Sequence, residues 1–180
     1  MAESYRHADF KSDIYWSFAE DDNYAEVEKT IGRTRTDVLA GIGDRLVAIE
    51  VQHTRIPIKS IRRRMAYHTE IGAHTLWIIT PETLMHSRGV RSLNWVLFIQ
   101  QIQGGVIFLP GVERQTVVPA HIDNTLIFYK NDIIAGHKWL DQKPEVEIDK
   151  LCFEKNMGLN ITSYPDWWSE GYLTFIDDFL

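Results

Sequence analysis

Asp37-Val38-Leu39-Ala40-Gly41-Ile42-Gly43-Asp44-Arg45-Leu46-Val47-Ala48-Ile49-Glu50-Val51-Gln52 is two β-prone apolar runs folded about a Gly-x-Gly-Asp turn. Such a pattern predicts a hairpin. A carboxylate opens the first run and another stands near the end of the second, with twelve residues between them. That spacing suits two short paired strands and their turn, so Asp37 and Glu50 are expected to meet on one side of the sheet. Glu50 and Gln52 are two apart and leave the strand on one face, with Ile49 and Val51 on the other. Converging hard oxygens are what Mg²⁺ or Mn²⁺ takes from a protein, keeping its remaining positions for water and phosphate oxygens. Two solvated surface carboxylates would give the same letters. The context favours a site, because Leu46-Val47-Ala48-Ile49 reads as a buried strand and a carboxylate closing it needs a partner.

The neighbouring segments extend the pattern. Tyr24 to Ile31 reads as a first strand carrying Glu26 and Glu28, and further strands are expected at about 34–40 and 46–52. Residues 6–20 carry Phe10, Ile14, Tyr15 and Phe18 at helical spacing, with His7 and Lys11 four apart on one face. Pro57 suits the first turn of a helix that runs to about Glu70 and stops before Gly72, with Ile58, Ile61 and Met65 as its stripe. Arg63 and Tyr67 are i,i+4 neighbours on it. Thr75 to Thr80 then reads as a buried strand, parallel to the second hairpin strand through the helical crossover.

Arg35-Thr36-Asp37-Val38, Val47-Ala48-Ile49-Glu50-Val51-Gln52, Arg63, Tyr67, Gly72 and Leu76-Trp77-Ile78-Ile79 occur in that order. The combination resembles the nuclease-like domain of the competence protein CoiA, a branch of the PD-(D/E)XK nuclease superfamily, over about residues 7 to 80. The resemblance implies an α/β fold with a mixed central sheet flanked by helices, built like a restriction-endonuclease core. It also implies phosphodiester hydrolysis assisted by Mg²⁺ or Mn²⁺. Asp37, Glu50 and the Val51 backbone carbonyl would hold the ion, and Gln52 stands where most of the superfamily carries a catalytic Lys. Arg63, Tyr67, Arg35, His7 and Lys11 would contact substrate, and Glu28 is a possible additional acid.

Beyond Pro81 a helix is expected over Ser92 to Gln103. Strands are expected at Val106–Leu109, Thr116–Val118 and Leu126–Tyr129, after which no motif is legible. The expected organisation is a core over 1–135 and a C-terminal extension over 136–180 packed on the same domain. His86, His121 and His137 lack ligand spacing.

Composition bounds the functional classes. With 180 residues, 44% of them apolar and 12% aromatic, the chain can bury a sizeable single core. One cysteine, Cys152, excludes an intrachain disulfide and reads as a small buried hydrophobe. No apolar leader or membrane-length run is visible, so a soluble cytoplasmic protein is expected, with no membrane partner. The net charge of −6 is unusual for a nucleic-acid binder. Between Arg33 and Arg91, however, ten Lys and Arg face five Asp and Glu, a local excess of five positive charges around the expected site. The expected partner is therefore nucleic acid, DNA before RNA. The rival readings are a catalytically silent nucleic-acid-binding member and a module that binds a protein through its acidic, aromatic-rich C-terminal third.

Overall fold

The computed structural model describes residues 5–20, 23–85, 94–113, 115–129, 132–142, 144–156 and 158–163, with backbone alone for 5–8, 20, 82, 85, 123–129, 132–142, 156 and 163. Its centre is the expected hairpin. β4 (Val38–Ile42) and β5 (Arg45–Gln52) pair antiparallel, from Ile42 opposite Arg45 to Val38 opposite Ile49. Gly43, at φ 60°, leads the two-residue turn, where a side chain would be strained. α2 (Ile58–Glu70) follows with Pro57 as its N-cap, and Gly72 at φ 76° turns the chain out of it. β6 (His74–Ile79) then returns parallel to β5, Glu50 opposite Trp77.

A mixed sheet grows around this unit. β1 (Ala25–Val27) flanks β4, and β7 (Ile107–Pro110) flanks β6 and leads into β8 (Thr116–Tyr129). β9 (Asp132–Gln142) and β10 (Val146–Glu147) both pair with β8. The hairpin of β11 (Cys152–Asn156) and β12 (Leu159–Ser163) joins β6 by a parallel pairing of Ile161 with Thr75. The described part of residues 136–163 thus extends the same sheet.

Helices cover both faces. α1 (Tyr5–Glu20) lays Ile14 and Phe18 on one face, against Val38, Ala40, Val47, Ile49, Val51 and Leu76. On the other face α2 and α4 (Asn94–Ile102) pack Ile61, Met65, Val96 and Ile99 against Trp77, Ile79 and Ile107. Burying both faces of β5 and β6 explains why their sequences are nearly continuous apolar runs. A short helix, α3 (Pro81–Met85), follows β6.

Two buried glutamines tie α4 to the sheet. Gln103 accepts from the Trp77 N–H at 2.7 Å and donates to the Trp77 carbonyl at 3.3 Å. Gln100 does the same for Ile122, at 2.8 and 3.3 Å. A side-chain amide offers one donor and one acceptor side by side, as a neighbouring strand would.

Three expectations change. The stretch Tyr24–Ile31 is not one strand: Glu28, at φ 53°, breaks it into β1 and a two-residue β2 (Thr30–Ile31). The stretch 34–40 is likewise split. Its first part, β3 (Thr34–Arg35), pairs with β2 in a separate small sheet, and Thr36-Asp37 bridges to β4. The physical cause is a pair of backbone bonds, Glu28 N–H to Asp37 O at 2.8 Å and Thr36 N–H to Lys29 O at 2.9 Å, which hold this excursion. In the opposite sense, the two strands expected at 116–118 and 126–129 are one long β8. Pro119 pairs with Phe108 of β7 and falls between the stretch paired with β10 and the stretch paired with β9, where no described strand lies on the other edge. Smaller differences are limits of one or two residues: β6 begins at His74 and β7 runs to Pro110.

Candidate active site

The site forms where the β4–β5 hairpin opens. The last ladder pair is Val38 with Ile49, so the next position outwards sets Asp37 against Glu50. Asp37 stands outside the strand because the excursion through β2 and β3 delivers the chain to β4 from the side. Its Oδ2 accepts the Val51 N–H at 2.8 Å, in place of the backbone carbonyl a continuing strand would offer. In a strand, one residue's N–H and C=O point the same way and neighbours alternate. Gln52 O accepts from Thr80 N–H on the β6 side, so the Val51 carbonyl turns to the Asp37 side.

Glu50 is fully buried, at 0% exposure. Isolated, such a carboxylate would be too costly to keep charged. Two residues of α2 meet it. Arg64 Nη1 donates to Oε2, and His68 Nε2 lies 3.4 Å from Oε1. His68 is itself fully buried, and its Nδ1 lies 2.9 Å from Thr75 Oγ1. With the Thr75 hydroxyl donating to Nδ1, the Nε2 proton faces the carboxylate. Neither Glu50 Oε1 nor His68 Nε2 completes a hydrogen bond, so Glu50 leans on Arg64.

α1 supplies the opposite wall. Lys11, only 6% exposed, brings its ammonium 3.6 Å from Asp37 Oδ1 and 3.2 Å from Glu28 Oε1. Arg35, exposed, pairs with Glu28 Oε2 at 3.1 Å. Glu28 is therefore held between two cations at the rim. Burial, and after it the negative charge of Glu50, push the Asp37 carboxyl up to about 6, against the opposing pull of the Val51 N–H, Lys11 and Arg64.

The remaining expected residues fall as follows. Gln52 is half-buried on the Glu50 face, and its amide donates to Thr54 O at 2.7 Å. Arg63 is exposed on α2. Tyr67 packs its ring over Gly32, where an added Cβ would sit 2.6 Å from the ring, and belongs to the cluster of Ile31, Leu39, Ala48 and Ala73. The side chain of His7 lies outside the described residues, as do His86, the side chain of His137, and Trp167 and Trp168 of the acidic tail. His121 Nδ1 lies 2.7 Å from the Gly105 carbonyl, away from the site. Cys152 is partly exposed in β11 rather than buried.

Arg64 and His68 are what the sequence reading missed. They repeat the i,i+4 spacing of Arg63 and Tyr67 one residue later. A signal existed: Ile61, Met65 and His68 fall at i, i+4 and i+7, which places His68 on the buried stripe and Arg64 beside it.

Asp37, Glu50 and the Val51 carbonyl are the oxygen donors present for a hard cation. Among the described residues, no three His, Cys, Asp or Glu side chains converge as a ligand set. No helix among them is long and apolar enough to cross a membrane. No curated protein and no solved structure matches the chain. One family model does match, that of the nuclease-like domain of the competence protein CoiA, over residues 3–156, and a match of that length means that the chain belongs to this family.

Proposed function

We propose that this domain is a metal-dependent nuclease hydrolysing phosphodiester bonds, of DNA before RNA, with Mg²⁺ or Mn²⁺ held by Asp37, Glu50 and the Val51 carbonyl. One observation carries the reading: the hairpin register brings Asp37 and Glu50 to neighbouring positions at its open end, and burial, with the negative charge of Glu50 after it, raises the Asp37 pKa. A divalent cation between them relieves that repulsion. The residues fit such an ion, since Glu50 Oε1 is a buried oxygen without a hydrogen bond and all three donors are hard oxygens. When bound, the ion would polarise the phosphate and make a water nucleophilic at neutral pH.

The chain's own residues do the rest. The Val51 N–H fixes the Asp37 carboxylate from behind, leaving Oδ1 on the Lys11 side. Lys11 brings a positive charge to a site where Gln52, being neutral, brings none. Charge that develops on a phosphoryl oxygen in the transition state is stabilised by such fixed cations in a water-poor site. Gln52 can hold a water or a phosphate oxygen through its amide. Arg63, exposed on the adjoining helix, can contact the phosphate backbone.

The test is incubation with labelled single- and double-stranded DNA and RNA in Mg²⁺, Mn²⁺ or EDTA. Cleavage is expected with metal alone. It is expected to fall by about a thousandfold in Asp37→Asn or Glu50→Gln, the scale of several kcal/mol of metal-assisted stabilisation. Binding without cleavage in any metal would favour the silent nucleic-acid-binding reading. The local observation on that side is Gln52, whose amide is bonded to its own strand end. The DNA preference, a cytoplasmic location and a protein partner for the acidic C-terminal third are part of the same proposal and await the same substrates and a pull-down.

A further inference from the structure

We infer that Arg64 is an exchangeable counter-ion, displaced from Glu50 when a divalent cation enters; the inference rests on the metal-site reading above and adds how that site is regulated. Glu50 is completely buried and its Oε2 is closed by the Arg64 guanidinium. Its other oxygen, Oε1, faces His68 Nε2 without a hydrogen bond. His68 has no room to withdraw, being fully buried and tied to Thr75. Arg64 differs: its side chain is 28% exposed, so it is the member of the cluster that stands between the carboxylate and solvent.

A guanidinium and a divalent cation both neutralise the same Glu50 oxygen. Like charges at contact distance repel by several kcal/mol even at an effective dielectric constant of about 20. They therefore cannot share Oε2, and each lowers the affinity of the other for Glu50. Arginine can leave at little cost, because its charge is permanent and its long stem reaches water from a partly exposed position. Once turned outwards it joins Arg62 and Arg63, the exposed cations next to it on α2. Metal entry then adds one positive charge to the outer surface of this helix, where a phosphate backbone is expected to lie. Occupying the metal site and holding the nucleic acid become linked events, and the buried carboxylate is neutralised throughout.

The experiment is a Mn²⁺ titration followed by electron paramagnetic resonance, with no nucleic acid present, on the full chain and on Arg64→Gln, Arg64→Lys and Glu50→Gln. Arg64→Gln is expected to bind Mn²⁺ at least about tenfold more tightly than the parent, since it removes the competing charge. Arg64→Lys is expected to fall near the parent, and Glu50→Gln to lose binding. Should Arg64→Gln fail to fold, the parent alone decides through the side-chain Nε–H resonance of Arg64. On adding Mg²⁺ that signal is expected to move from an ion-paired position to that of a solvated arginine. Mn²⁺ binding in the parent that Arg64→Gln leaves unchanged or weakens overturns the exchange and spares the metal site. So does Mg²⁺ binding with an unmoved Arg64 signal. Absence of binding in the parent overturns both.

Discussion

Asp37 carries a cost that the rest of the domain offsets. Its carboxyl is pushed from 3.8 to about 6 by burial and by Glu50. The unfolded chain releases that proton near 4 and the folded chain near 6. Between those values the folded state holds more protons, so stability falls as pH rises from about 4 to about 6 and stays lowered above. The loss is on the order of 3 kcal/mol, from a shift of roughly two units. In EDTA, urea midpoints at pH 4.5 and pH 7 are expected to show this fall. Asp37→Asn is expected to flatten it and to be the more stable protein at pH 7, because Asn keeps an acceptor for the Val51 N–H. A variant with the parent's pH slope would show that the shift lies elsewhere. The sign fits a residue kept for chemistry, since a site selected for stability alone would not hold two acids together.

Elements were legible to very different degrees. The β4–β5 hairpin, α2 and β6 follow from local signals: a Gly-led turn, a Pro start, a Gly stop and apolar runs of strand length. The split at Glu28 and Thr36 was not legible, because it depends on backbone bonds between residues seven and nine apart, which no propensity encodes. The same limit hid Arg64. Helical spacing fixes which residues share a face, but a rotation of one residue, about 100°, decides which pair meets the strand. Gln100 and Gln103 show the limit again, since helical spacing names no partner for either side chain and both turn out to be strand-like partners. Gln103, 1% exposed, serves two backbone groups of Trp77. Gln103→Leu keeps the volume and strands both groups, so it is expected to cost about 3 kcal/mol. Urea denaturation measures it, and a cost below about 1 kcal/mol would mean that water replaces the amide.

For the whole molecule, the distribution of charge matters more than its total. A chain of net charge −6 should repel a polyanion, yet the segment from Arg33 to Arg91, which contains Asp37 and Glu50, is basic. Affinity for nucleic acid is therefore expected to be local and electrostatic, weakening steeply with salt as condensed counterions are released. Arg63→Ala is expected to weaken binding and reduce the salt slope by about one, whatever the base sequence. Anisotropy titrations at two salt concentrations, with Ca²⁺ as a non-cleaving ion, measure both. No affinity at low salt would leave the protein-partner reading standing. The placement of β12 has a further consequence, for the order of events on the ribosome. β6 is the middle of the sheet, but the strand that completes its edge at Thr75 contains Ile161, and Thr162 Oγ1 donates to the Thr75 carbonyl. A nascent chain therefore carries its central strand partly bare until some eighty-five further residues have been translated. Pairing across so long a loop is slow, and the interval is one in which a chaperone has an unpaired strand edge to hold.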